Sequence, residues 1–213
     1  MNRVHKSTVV EMQKDYVHDD QICLTSVVFI PDDISQKIMS DVIEKLKKTE
    51  PHHYFYLPES MHVTIKNIRT INKPPVFSET DINKVNELFN EIIPQFPIFE
   101  FTVEDVLMFP TSLSIMGYSD ETLQKLVYAL DEGLQKIGVP DNKKYFSTSV
   151  FWGNITICRF AKNPQIAFIN EVQKMRDVKI GKFKVEKVQV ITCNAVCHPA
   201  SRRIVGKYDL GKE

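Results

Sequence analysis

His62 and Thr64 stand two residues apart in Met61-His62-Val63-Thr64-Ile65, and they are the first pair in the chain suited to phosphate chemistry. If this run is a strand, Met61, Val63 and Ile65 turn to a core while His62 and Thr64 share the other face. An imidazole moves a proton near neutral pH, and a hydroxyl hydrogen-bonds a phosphoryl oxygen. Alone the pattern is weak, because a histidine on a half-exposed sheet face is commonplace. A second run repeats it: Asn154-Ile155-Thr156-Ile157-Cys158-Arg159 again reads polar, apolar, Thr, apolar. Asn154 cannot exchange a proton at neutral pH, but its amide can donate to a phosphate oxygen. In an unbroken strand Arg159 has the parity of Ile155 and Ile157, away from Asn154 and Thr156. It meets a ligand there only if the strand ends or bulges near Cys158.

Both runs sit among alternating strand and helix signals. Residues 22–30 are β-branched and apolar and stop at Pro31, as a buried strand does. Ile34, Ile38, Val42 and Leu46 recur at helical spacing up to about Lys48. Strands are expected at 54–57 and 61–69, then a helix from Ser78 or Thr80 to Pro94. Residues 98–107 and 112–118 read as a hairpin across Phe109-Pro110-Thr111, and 120–137 as the clearest helix, closed by Gly138 and Pro140. After the 154–160 strand, Asn163-Pro164 reads as the cap of a short helix running to about Asp177, with Ile166, Ile169 and Val172 inward. Residues 182–193 alternate as a strand, and Ile204 to Leu210 closes the chain as another. This order predicts an α+β layer architecture. Neither GxGxxG nor GxxxxGK[ST] occurs, so dinucleotide-binding and P-loop folds lack their phosphate-cradling glycines.

Composition narrows the partners. The 213 residues carry 27 Lys+Arg and 27 Asp+Glu, for zero formal charge, whereas a protein gripping long nucleic acid needs a basic surplus. A broad duplex-binding surface is thus not expected, and a local pocket for a nucleotide or an RNA end is. No apolar run is long enough to span a bilayer, and residues 1–20, read as an N-terminal extension, lack the apolar stretch of a signal peptide. A cytoplasmic location with reduced Cys23, Cys158, Cys193 and Cys197 follows as the expectation. Cys193, Cys197 and His198 lack the second pair that completes a tetrahedral zinc site, so no metal is expected and the cysteines read as small buried apolar groups.

The paired motifs, with the lead-in Phe55-Tyr56-Leu57-Pro58-Glu59-Ser60, resemble the 2H phosphoesterases, which include 2′-5′ RNA ligases and RNA 2′,3′-cyclic phosphodiesterases. The resemblance covers roughly residues 22–210, with residues 21–213 expected to form one bilobal domain. It implies two mixed or antiparallel sheets facing a central cleft with helices outside, in a monomer. It also implies a metal-independent reaction, without cofactor, on a 2′,3′-cyclic or 2′-5′-linked nucleotide or RNA end. One histidine of such a site acts as base and the other as acid, while the threonines hold the phosphate.

By that resemblance His62 is the catalytic residue, and Thr64, Asn154, Thr156 and Arg159, the last from an HxTxxR pattern, bind phosphate. Asn154 stands where the second histidine belongs, which implies reduced or altered catalysis. The alternatives are a noncatalytic nucleotide- or RNA-end-binding module and a scaffold whose cleft is empty. His52, His53 and His198 read as solvated loop residues, with His198 the best placed to substitute. Tyr56, Tyr118, Phe151, Trp152 and Tyr208 are candidates to stack on a base. Arg202, Arg203 and Lys207 read either as a solvated face or as contacts for a second phosphate.

Overall fold

Pro31 cannot continue the ladder begun by the apolar run before it, so β1 (Ile22–Phe29) ends there and α1 (Asp32–Ile38) begins. A computed structural model describes residues 10–143 and 151–211. Through a π-helical turn at Met39–Ile43, α1 runs into α2 (Glu44–Thr49), and Ile34, Ile38, Val42 and Leu46 are all buried. The chain continues with β2 (Tyr54–Phe55), β3 (His62–Asn72), α3 (Glu79–Ile92), β4 (Phe99–Phe109), β5 (Ser112–Tyr118) and α4 (Glu121–Lys136). It ends with β6 (Gly153–Arg159), α5 (Ile166–Lys174), β7 (Lys179–Val185), β8 (Lys187–Cys193) and β9 (Arg203–Asp209). A reciprocal Ser78–Asp81 capping box opens α3, the Asp120 side chain caps α4, and Gly138, at φ +74°, follows the end of α4.

Two local expectations change. Asn163 does not cap α5, which starts at Ile166; the carboxylate of Glu50, at the end of α2, instead accepts from Gln165 N at 3.0 Å. The later start rotates the apolar stripe, so Ile166 is 70% exposed while Phe168 and Val172 fill the inward positions. The alternating run 182–193 is two strands, β7 and β8, parted at Glu186. A pattern of period two cannot tell one long strand from two strands sharing a corner.

The strands form one sheet in the order β7-β4-β5-β6-β3-β1-β8-β9, with β2 beside β6, and every strand pairing is antiparallel. The two sheets expected from the sequence are the halves of this one, β7-β4-β5-β6 and β3-β1-β8-β9, which meet where Val63 pairs with Ile155. Because Glu186 alone joins β7 at one edge to β8 in the opposite half, the sheet must curl into a half-barrel. Helices α1 and α5 pack against β7 and β4, and α3 and α4 against β9 and β3, and the main core is buried between helices and sheet. A smaller cluster of Cys23, Val27, Ile191, Cys193 and Cys197 gathers around β1 and β8. Tyr16 ties the chain ahead of β1 to the core by donating to Phe160 O at 2.8 Å. No described helix is long and apolar enough to cross a membrane.

Candidate functional site

Antiparallel pairing of Val63 with Ile155 sets His62 beside Thr156 and Thr64 beside Asn154. All four polar side chains therefore share one face of two adjacent strands, where directly opposed residues lie about 5 Å apart. The apolar partners on the other face, Met61, Val63, Ile155 and Ile157, are buried in the main core. Thr64 and Asn154 are exposed, and His62 and Thr156 half-buried. Glycine leads into Asn154 because the strands crowd there: a Cβ on Gly153 would lie 2.9 Å from the Phe101 ring and 3.1 Å from Val63 Cγ1.

Each motif strand then bulges one residue past its threonine. Along β3 the partners on β1 shift from Val27↔Thr64 to Ser26↔Lys66, and along β6 those on β5 shift from Ser114↔Thr156 to Leu113↔Cys158. The extra residues are Ile65 and Ile157. A bulge resets side-chain parity, so Lys66 and Cys158 turn inward, and Arg159 returns to the face of Thr156, opposite Ser112 and Tyr54. Lys66 is buried in ion pairs of 2.8 Å with both Asp131 and Asp141.

Around the four residues lie donors that the motifs did not reveal. Among the described residues Ser114, fully buried and opposite Thr156, has no partner for its hydroxyl, and Arg159 Nε and Tyr54 Oη are likewise buried and unmatched. Unsatisfied buried polar atoms are costly and mark places where a ligand can complete the bonding. Lys143, its pKa lowered chiefly by burial, adds a cation close enough to Arg159 to interact with it electrostatically.

His62 is held from several sides. Its Nδ1 donates to Ser60 O at 2.8 Å, and the ring meets Phe29 edge-on at 6.1 Å. Burial alone pushes its pKa down, but a hydrogen bond and charge from Cys197 and the Ser60 carbonyl outweigh burial and raise it. Asn154, across the seam, carries no such frame; it is an exposed amide facing Met116 of β5.

Of the substitute histidines, His52 is exposed as expected and His53 departs from expectation. His53 is not solvated: it is buried against Phe160 and Phe168. Its Nδ1 accepts from Ala161 N at 3.3 Å, so Nε2 carries the proton and donates to Glu50 Oε2 at 3.2 Å. His52 completes a cluster with Glu50 and His53 whose spacing suits a cation, but with Nδ1 engaged by a backbone N–H and Nε2 protonated, His53 has no lone pair to offer. His198 accepts from Ala200 N at 3.3 Å and caps the short turn before β9.

Of the aromatic candidates, Tyr56 and Tyr208 are buried. Phe151 packs on Tyr128 of α4 at 5.0 Å, and Trp152, just ahead of β6 and two residues before Asn154, is exposed. Tyr118 is exposed at the end of β5 and donates to Asp105. Arg202 lies 4.7 Å over the Phe29 ring, whereas Arg203 pairs with exposed Glu79.

No family model and no curated protein matches the chain. Among solved structures it is similar to TT0787 of Thermus thermophilus, with a TM-score of 0.64 and 15% identity over 90% of this chain and 99% of that one. A protein described as a phosphoesterase aligns with a TM-score of 0.62 at 14% identity, covering 90% of this chain and 99% of its own. Escherichia coli LigT complexed with 3′-AMP aligns with a TM-score of 0.63 at 15% identity, again over 90% and 99%. LigT has also been solved with ATP and with NADP+. At these identities the likeness establishes the fold.

Proposed function

The chain has the fold of the 2H phosphoesterases, and from that premise we propose that it binds a small nucleotide or RNA end through a 2′,3′-cyclic or 2′-5′ phosphodiester and cleaves or transfers it slowly. The observation that carries this reading is the register at Val63↔Ile155, which lines His62, Thr64, Asn154 and Thr156 along one open seam. In this reading Thr64 and Thr156 donate to the non-bridging phosphate oxygens, and Asn154 adds an amide donor. Arg159, brought to the same face by the bulge at Ile157, supplies the charge that offsets the phosphate. Trp152 offers a stacking surface for a base. Recognition is local, which suits a chain of zero net charge. A cytoplasmic monomer working on metabolite-sized or RNA-end phosphodiesters without a metal or cofactor fits this picture.

The chemistry is lopsided. His62, its pKa raised, keeps its proton to higher pH than an ordinary histidine and serves as general acid on the leaving oxygen. Asn154 cannot accept a proton from the attacking water or hydroxyl, so that step proceeds without a protein base. One acid or base group is worth about 10² to 10⁴ in rate, and turnover falls short of a two-histidine site by that factor. The same absence favours a second reading, a binding module that keeps the phosphate cradle and turns nothing over.

A screen of 2′,3′-cyclic mononucleotides and 2′-5′ dinucleotides, with wild type and His62→Ala, tests both. Slow turnover lost in His62→Ala supports the enzyme. Binding without turnover leaves the module, and failure of every compound to bind removes both.

A further inference from the structure

Arg202 closes the short turn Pro199–Ser201 ahead of β9, and three contacts fix where its guanidinium stands. Nη1 donates to Glu59 O at 2.6 Å, in the turn Pro58–Ser60 that leads into His62. The same nitrogen lies 4.0 Å from Cys197 Sγ, and the guanidinium carbon sits 4.7 Å from the centre of the Phe29 ring. Phe29 of β1 is the direct cross-strand partner of His62, so the two side chains share a face of the sheet. Their rings meet edge-on at 6.1 Å. The guanidinium therefore stands beside the seam, one ring away from the imidazole, on the flank away from β6.

A guanidinium carries five N–H groups in a planar fork. Here Nη1 is committed to the Glu59 carbonyl and the Cys197 sulfur. Among the described residues Nε and Nη2 meet no acceptor, and no carboxylate pairs with Arg202. Arg203, the next residue, contrasts with it: Glu79 of α3 takes that guanidinium through both oxygens, at 2.9 and 3.4 Å. Of two adjacent cations, one is neutralised on a helix. The other is pinned by a carbonyl, a sulfur and a ring, with the Nε and Nη2 edge of its fork open. That edge matches two oxygens of a phosphate in both spacing and charge. Because the side chain is already held, little rotamer freedom remains to be lost when an anion arrives.

We propose that Arg202 is a specificity-determining residue: it forms a second anion subsite, on the β1 side of His62, for a phosphate one ribose removed from the phosphodiester held at the seam. The proposal rests on the reading of His62 and the threonines as the phosphodiester site. Such a phosphate has two sources, the 5′-phosphate of a mononucleotide and the next phosphodiester of an RNA end, and both present the same oxygens. Arg159 does not duplicate the subsite. It lies on β6 and Phe29 on β1, strands that flank β3 on opposite sides, so the two arginines reach the seam from its two flanks. Two placed cations also suit a chain of zero net charge better than a basic face would.

Calorimetric titration of the full chain tests this with adenosine 3′-phosphate, adenosine 3′,5′-bisphosphate and the 3′-phosphorylated dinucleotide ApAp. The 3′-phosphate stands in for the phosphodiester at the seam, and none of the three carries a 2′,3′-cyclic or 2′-5′ linkage to be turned over. Wild type should bind the bisphosphate, the dinucleotide or both about tenfold more tightly than the monophosphate, as a hydrogen bond to a charged group allows. An advantage confined to the dinucleotide assigns the subsite to an internal phosphodiester, and one confined to the bisphosphate assigns it to a terminal phosphate; either supports the proposal. Arg202→Gln should erase the advantage, and Arg202→Lys, which keeps the charge without the fork, should retain only part of it. Arg203→Gln, which removes the same charge one residue away, should leave it intact. Equal affinities for all three ligands in wild type overturn the proposal with no variant needed. It is also overturned if Arg202→Gln weakens every ligand alike, as a purely structural tie between the two turns would, or if Arg203→Gln matches Arg202→Gln. Monophosphate binding without discrimination sinks the Arg202 subsite alone and spares the proposed function. If wild type binds none of the three, the reading of the seam falls and the subsite falls with it.

Discussion

The two half-sites share a backbone plan and differ in what surrounds it. On β3, His62-Val63-Thr64-Ile65-Lys66-Asn67 runs through a bulge at Ile65; on β6, Asn154-Ile155-Thr156-Ile157-Cys158-Arg159 runs through a matching bulge at Ile157. The β3 half frames its first polar residue with the Ser60 carbonyl, Phe29 and Cys197. The β6 half leaves Asn154 exposed and puts its charge further along the strand, at Arg159. On the proposed reading, proton handling falls to His62 on β3, while the charge that offsets the phosphate comes from Arg159 on β6. Related halves need only the same register to cooperate; their chemistry can diverge as long as the seam between them holds.

Equalising the halves is the strongest way to break this contrast. Asn154→His should raise turnover of a 2′,3′-cyclic phosphate by about 10² to 10⁴ and give a bell-shaped pH profile, measured by steady-state kinetics. The gain should vanish in the double variant with His62→Ala, because two groups acting on one reaction are not additive. An inert but folded Asn154→His protein would mean that the β6 half has lost more than its histidine.

Removing the β6 charge comes next. Arg159→Gln should weaken nucleotide binding by about 1.5 to 3 kcal/mol, the range for a hydrogen bond to a charged group. Calorimetric titration with a nucleoside monophosphate checks this, and unchanged affinity would place Arg159 off the ligand. Trp152→Ala should cost about 1 to 3 kcal/mol with nucleotides but little with inorganic phosphate, since only the former has a base to stack. Its counterpart on the β3 half, Ser60, is buried and offers no such surface.

The smallest effects concern what the halves hold in common. Thr64→Val and Thr156→Val should each cost about 0.5 to 1.5 kcal/mol of binding, the ordinary value of one neutral hydrogen bond. Unequal losses would show the phosphate leaning toward one strand. Affinity for a phosphodiester should also fall as pH climbs through the raised pKa of His62, and that alkaline limb should disappear in His62→Gln.

Much of the fold was legible because periodicity reports burial. Met61, Val63, Ile155 and Ile157 point to the core as alternation required, and the 120–137 helix is α4 to within a residue. The bulges were not legible. Arg159 looked misdirected because parity counting assumes an unbroken strand, and nothing in Ile157 or Cys158 announces an extra residue. His53 looked solvated because a pair of histidines after a proline reads as loop. Its burial depends on Phe160, Phe168 and Glu50, contacts that sequence spacing does not contain. Cys197 was read as a small apolar filler, and burial alone bears that out.

Glu186 has a kinetic consequence. A single residue straps β7 to β8, and Leu210 N bonds Glu186 O at 2.9 Å while Gly211 N bonds Phe96 O at 2.8 Å. With so short a tether, and a second fastening beside it, the half-sheets cannot swing apart as hinged lids do. The seam is preorganised, and little conformational freedom of the two half-sheets remains to be lost on binding. Association should then be set by diffusion and orientation, and affinity differences among ligands should appear in how long each one stays.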